Sequence, residues 1–167
     1  MQKDMNADYK DSEMYRLNLP PYDYKLREAQ GRRVIYDVLR RKWVALTPEE
    51  WVRQHFVHYL VDCKHYPAGR MANEVELQIG NKRVRCDSIL YDKSLHPLMI
   101  IEYKAPEIGI TRRVISQITA YNVIVRARYL AVSNGRQHLC LRMDYASGAY
   151  TFLDGMPEYA EMDIGNI

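Results

Sequence analysis

The sequence predicts an α/β fold in which a central mixed sheet is flanked by helices and carries added β-hairpins. Three observations predict it. Thr47-Pro48-Glu49-Glu50 opens a helix, with threonine as N-cap, proline at the first helical position and glutamate three residues after the cap. Two runs rich in branched and aromatic residues, Val84 to Tyr91 and Leu98 to Tyr103, flank the turn formers Asp92 to Pro97 and read as a hairpin. A second helical segment, Arg112 to Arg126, then precedes a further apolar run, Tyr129 to Ser133. Strands that alternate with helices in this way call for layers, with the sheet covered on both faces.

At 167 residues the chain has the length of one domain, able to bury a core without staples. Cys63, Cys86 and Cys140 show no C-x-x-C spacing and no histidine at ligand distance in a motif, so they read as buried thiols in a reducing compartment rather than as disulfide or zinc partners. No long apolar run and no secretory pattern at Met1 is present, which predicts a cytoplasmic protein without a membrane partner. The net charge of +3, from 24 basic and 21 acidic residues, permits a nucleic-acid partner without demanding one.

Taken in order, residues 1–20 are polar and aperiodic and read as a flexible leader ending at Leu19-Pro20-Pro21. Residues 21–46 form an accessory hairpin packed on the main domain, with Val34-Ile35-Tyr36 and Trp43-Val44-Ala45-Leu46 on either side of Arg40-Arg41-Lys42. Those three charges read as a solvated turn ahead of a phosphate contact. The main domain spans residues 47–155. In its first helix Trp51, Val52, Phe56, Tyr59 and Leu60 form the buried face, Arg53 and Gln54 point elsewhere, and His55, His58 and His65 are surface or interfacial. Glu74 to Ile79 alternates polar and apolar residues up to Gly80-Asn81, a hairpin turn pair. Thr111 caps the second helix, whose Arg113, Gln117 and Tyr121 share one face while Ile115, Ile118 and Val125 face the sheet. Asn134-Gly135 turns Tyr129 to Ser133 into His138 to Met143, Ser147-Gly148 turns again into Ala149 to Leu153, and residues 156–167 read as a frayed tail.

The chemistry lies between Arg83 and Lys104. If the hairpin folds symmetrically about its turn, Tyr91 opposes Leu98, Ile89 opposes Ile100 and Asp87 opposes Glu102. Like charges placed so destabilise a sheet, and something must compensate them. Lys104 shares the face of Glu102, and two hard oxygen ligands beside a cation suit Mg²⁺, or Mn²⁺, completed by water and a phosphate. A two-residue turn at Gly80-Asn81 places Glu74 across from Asp87, whereas a four-residue loop would place Glu76 there. Either acid would extend the row as a further ligand or a supporting carboxylate, or would only wet that strand face.

Asp87 followed by Glu102-Tyr103-Lys104 at the end of the apolar strand Leu98-Met99-Ile100-Ile101 resembles the PD-(D/E)xK nuclease superfamily, although Cys86 stands where proline would precede the acid. The continuation through Ala105-Pro106, Gln117-x-x-x-Tyr121 and Tyr129-Leu130-Ala131-Val132-Ser133-Asn134-Gly135 is similar to the N-terminal nuclease domain of type I restriction enzyme R subunits over about residues 47 to 145. The resemblance implies a restriction-endonuclease-like αβββαβ core and Mg²⁺-dependent hydrolysis of DNA. It also implies Asp87, Glu102 and the backbone carbonyl of Tyr103 as metal ligands, a glutamate from the first helix (Glu50 or Glu49) near the metal, Lys104 as the catalytic cation, and Gln117 and Tyr121 beside the phosphate or its water. Glu50 would otherwise only close its capping box. R subunits join this domain to a translocase, yet no G-x-x-x-x-G-K-[ST] loop is present, so the expectation is the cutting domain without the motor, with restriction-modification subunits or a separate translocase as partners. A second reading is a nucleic-acid-binding or assembly module that keeps the fold but does not cut unaided. The third, a structural domain with chance acids, leaves the opposed carboxylates unexplained.

Overall fold

The computed structural model describes residues 16–162, and the fold divides into a small three-stranded sheet and a larger six-stranded one. The small sheet contains β1 (Leu26–Ala29), β2 (Arg32–Asp37) and β3 (Lys42–Ala45), all antiparallel. The sequence reading joined only β2 and β3. The third strand is not legible because Leu-Arg-Glu-Ala has no β-branched or aromatic residue, and its turn, Gln30-Gly31, works by positive φ at both positions (52° and 70°).

Helix α1 (Pro48–His58) follows, continued by a π-helical turn at Tyr59–Cys63. Thr47 Oγ1 accepts the Glu50 N–H at 3.0 Å, so the predicted cap forms. The Glu50 side chain is bound elsewhere, as described below. Strands β4 (Met71–Ile79), β5 (Lys82–Tyr91), β6 (Pro97–Tyr103), β7 (Tyr129–Ser133), β8 (His138–Asp144) and β9 (Ala149–Phe152) lie side by side in sequence order. Every neighbouring pair is antiparallel except β6 and β7, which are parallel and joined across one face by α2 (Arg112–Val125). The sheet is covered on both sides, as its apolar strands require. Val52, Phe56 and Val57 of α1 and Leu60 of its π-helical continuation pack on Leu90, Met99, Ile101 and Tyr103, while Val114, Ile118 and Val125 of α2 pack on Val84, Cys86, Ile89 and Ile100.

Several expectations change. Arg53 and Gln54 are buried, because α1 carries the large sheet on one side and the small sheet, through Ile35 on Trp51, on the other. His55 is buried rather than superficial. Its Nδ1 lies 2.9 Å from the Trp51 carbonyl oxygen, its ring meets Trp51 and Tyr22, and burial pushes its pKa down to about 4, leaving it neutral at physiological pH. Cys63 is exposed, while Cys86 and Cys140 are buried. The basic turn of the small sheet splits, with Arg40 turned inward and Arg41 and Lys42 exposed. Residues expected to fray pack instead: Met156 and Met162 enter the core, Tyr66 Oη donates to the Pro157 carbonyl at 3.1 Å, and Lys64 pairs with Glu158 at 2.9 Å. Of the expected leader, residues 1–15 lie outside the described residues. Leu17 reaches the core, and the Asn18 N–H donates to Gly135 O at 2.7 Å.

Candidate active site

The pleat breaks where the site is built. Ile89 opposes Ile100 as expected, but a bulge at Leu90 and Tyr91 sets Tyr91 against Pro97 instead of Leu98. The β4–β5 register follows the two-residue turn, with Asn73 against Ser88 and Val75 against Cys86 on either side of Glu74 and Asp87. Glu74 has φ +53°, a left-handed conformation uncommon for a residue of this type. Beyond it both strands exchange faces. Ala72 and Val75 pack on the same side, as do Ile89 and Cys86, whereas strict alternation would separate each pair. Leu90 therefore packs under α1, whereas Val84 and Cys86, an even number of residues away on the same strand, pack under α2.

The β5–β6 ladder ends at Ser88 and Ile101, and the strands part into a fork at Asp87 and Glu102. Asp87 Oδ2 stands in for a backbone acceptor by taking the Tyr103 N–H at 2.9 Å. Because the N–H and C=O of one strand residue point the same way, the Tyr103 carbonyl is also turned toward the Asp87 side. Lys104 Nζ donates to Glu102 Oε1 at 2.9 Å. Burial and the charge of Asp87 hold Glu102 above the usual carboxylate range, against the pull of Lys104. Burial alone would lower Lys104, but Glu102, Glu49 and Asp87 raise it, so it stays protonated.

Of the two helical glutamates, Glu49 faces this cluster. Burial and then Asp87 raise its pKa, while Arg53 and Lys104 oppose the shift. Glu50 is directed into the protein, accepting from Arg40 Nη2 (2.5 Å), Arg53 Nη1 (2.8 Å) and Gln54 Nε2 (2.9 Å). Glu74 is held by Arg53 Nη2 at 2.6 Å and by Arg85. Tyr121 is half-exposed and lines a small cleft with Glu102, Arg85, Cys86 and Ile118, whereas Gln117 is exposed one turn earlier on the same helix.

The residue that sequence reasoning missed is Arg53. It is 2% exposed, pairs with Glu50 and Glu74, reaches Asp87 Oδ1 at 3.6 Å, and lies over the Tyr103 ring at 5.5 Å. The only signal was a lone cation in a helix with apolar residues on both sides of it, Trp51-Val52 before and Phe56-Val57 after Gln54-His55. A polar relay behind the site was equally hidden. Tyr103 Oη donates to Ser88 Oγ (2.9 Å), Ser88 to Asn73 Oδ1 (2.5 Å) and Asn73 Nδ2 to Asp37 Oδ2 (2.9 Å). Asp37 is fully buried. Burial alone would raise its pKa, but the Arg40 N–H, the Asn73 amide and the Arg40 guanidinium bring it below its ordinary value of 3.8. A folded pKa below the unfolded one stabilises at pH above the unfolded value, and the gain is lost as pH falls through the folded one. Asp37→Asn is therefore expected to cost about 3 kcal/mol at neutral pH. In denaturant melts the gap to wild type should narrow as pH falls below about 4. A gap independent of pH would remove Asp37 from the relay as a charge.

The donors converging on the fork are oxygens: Asp87, Glu102, the Tyr103 carbonyl and, from α1, Glu49. They suit a hard divalent cation, and the raised pKa values of Glu102 and Glu49 mean that positive charge placed among them would be stabilised. Among the described residues, no group of three or more histidine, cysteine, aspartate or glutamate side chains is gathered closely enough to hold a metal ion. Mg²⁺ commonly takes only one or two carboxylates, with water completing its shell, so the donor set still fits.

Fold and site together define a mixed α/β domain with acids and a lysine at the mouth of a parted strand pair. Residues 48–157 match the model of the type I restriction enzyme R protein N terminus, and the chain belongs to that family. A similar solved structure is a fragment of a putative HsdR subunit of a type I restriction enzyme from Vibrio vulnificus YJ016, with 18% identity and a TM-score of 0.51, covering 70% of this chain. The match spans 24% of the length of that solved chain. No curated protein matches the sequence.

Proposed function

We propose that this domain hydrolyses DNA phosphodiester bonds with Mg²⁺ or Mn²⁺, on a restriction-endonuclease-like αβββαβ core. The observation that carries the reading is the convergence of Asp87, Glu102 and Lys104 at the β5–β6 fork beneath Glu49. Asp87, Glu102 and the Tyr103 carbonyl would hold the metal, with Glu49 rather than Glu50 or Glu74 as the acid free to join them. When bound, the metal would neutralise the scissile phosphate and acidify the attacking water. Lys104, kept protonated by its acidic neighbours, holds that water in line and stabilises the charge that grows on the phosphate oxygens. Arg53 contacts both Asp87 and Glu74 and would offset their mutual repulsion while the metal is absent. Tyr121, on the cleft beside Glu102, and Gln117, on the same helix, would orient phosphate or water.

Cleavage of plasmid and linear DNA with and without Mg²⁺ tests the reading directly. The companion test is Asp87→Asn. It should weaken Mg²⁺ or Mn²⁺ binding at least tenfold by calorimetric titration and abolish cleavage. Its metal-free stability should stay within about 1 kcal/mol of wild type, because an asparagine oxygen can still accept the Tyr103 N–H. Equal metal binding by both proteins would overturn the assignment.

One observation favours a second reading. Glu102 is paired by Lys104, and Asp87 by the Tyr103 N–H, so the acids are partly satisfied without metal. The domain would then be a nucleic-acid-binding or assembly module in the cytoplasm, cutting only when joined by restriction-modification subunits or a separate translocase. DNA binding without cleavage under any divalent cation would favour it.

A further inference from the structure

Residues 21–46 hold seven basic residues against three acidic ones, whereas the rest of the chain is close to neutral. The small sheet sorts these charges by face. Leu26, Ile35 and Val44 are cross-strand neighbours and point inward onto Trp51. Alternation therefore sends Lys25, Arg27, Arg32, Val34, Tyr36 and Trp43 outward. No acid of the three strands shares that face: Asp37 is buried and bound to Arg40, and Glu28 opposes Arg33 on the other side. Among the described residues, Lys25, Arg27 and Arg32 enter no ion pair, so their charge is not cancelled locally.

Two of these cations are positioned rather than loose. The Arg27 guanidinium lies 4.2 Å from the Trp43 ring centre, and Lys25 Nζ lies 5.8 Å from that of Tyr36. The two rings meet edge to face at 5.5 Å. A guanidinium held over an aromatic ring still presents N–H donors at its rim, where a phosphate can accept them. The sheet is also tied to the fork. Arg40, in the β2–β3 turn, binds Glu50 at 2.5 Å, Glu50 binds Arg53 at 2.8 Å, and Arg53 lies 3.6 Å from Asp87.

We propose that the outer face of β1–β3 is a docking surface for the phosphate backbone of duplex DNA. The choice of DNA rests on the nuclease reading above. Strand β2 runs about 20 Å at roughly 3.3 Å per residue, which matches about six phosphates of one DNA strand at 3.4 Å of axis each. Lys25, Arg27 and Arg32 would meet two or three of them. The surface carries no base-reading groups in a protruding helix or ribbon, so the contact is independent of base sequence.

The test is fluorescence anisotropy of a labelled duplex of about three helical turns, titrated with the full chain carrying Asp87→Asn over a range of salt. Adding Lys25→Gln, Arg27→Gln and Arg32→Gln should lower affinity at least tenfold and flatten the plot of log affinity against log salt by about 0.9 per lost phosphate contact. Arg32→Gln alone, at the strand start and over no ring among the described residues, should flatten it by about 0.9 if the triple variant does not fold. Unchanged slope and affinity, or a parent protein that does not bind duplex, overturns the proposal. So does a change of sedimenting mass in the patch variant, which would make the face an interface between copies. A flattened slope in a protein that never cleaves DNA leaves the surface standing and removes only the nuclease reading.

Discussion

Replacing Lys104 by alanine is expected to slow DNA cleavage by about 10²- to 10³-fold while DNA affinity changes only a few-fold, because one preorganised charge is lost where the transition state needs it. Lys104 binds Glu102 and is surrounded by Glu49, Asp87 and Glu102, so its charge belongs to the fork and not to a distant grip on the backbone. Single-turnover rates on a linear duplex, set beside anisotropy measurements of binding, separate the two effects. Gln117→Ala should give a smaller loss of the same kind, since the side chain is exposed and uncharged. A Lys104→Ala protein that cuts as fast as wild type would falsify the mechanism.

Arg53→Met should be the most damaging single change to the fold. The guanidinium is buried against Glu50, Glu74 and Asp87, and removing one partner of buried ion pairs leaves charge without compensation, at a cost of about 3 to 5 kcal/mol. The lower end is expected, because Glu50 keeps Arg40 and Gln54, Glu74 keeps Arg85, and Asp87 keeps the Tyr103 N–H. A second readout separates a site role from plain packing. With Arg53 gone, Mg²⁺ should raise the melting temperature of the variant more than that of wild type, since a divalent cation can replace the missing charge. Equal shifts in both proteins would show that Arg53 and the metal do not share the acids.

The family and the pair Asp87 and Glu102 with Lys104 were legible in the residues alone because they depend on local order. A turn-flanked hairpin carries its own register, although at Gly80-Asn81 the residues left two- and four-residue loops open, and the structure decided for the two-residue turn that sets Glu74 level with Asp87. Short-range signals also set the start of α1 at Thr47 and the placement of α2 ahead of β7. The sequence could not show which of Glu49 and Glu50 faces the fork, since both lie in the first turn and their directions depend on how α1 is rotated between two sheets. That rotation is a packing result: Ile35 on one side and the large sheet on the other bury the whole middle of the helix, drawing in Arg53 and Gln54, which periodicity turns away from the buried face, and His55, which the sequence reads as surface or interfacial. The exchange of faces at Glu74 and Asp87 was hidden for a similar reason, because alternation in sequence assumes an unbroken pleat and a glutamate at φ +53° breaks it. The relay from Tyr103 through Ser88 and Asn73 to Asp37 joins residues 66 positions apart at its ends. Sequence alone determined the family and the acids, whereas the partners that hold those acids in place exist only once distant segments are brought together, because buried charge is tolerated only beside a compensating group that the tertiary fold delivers.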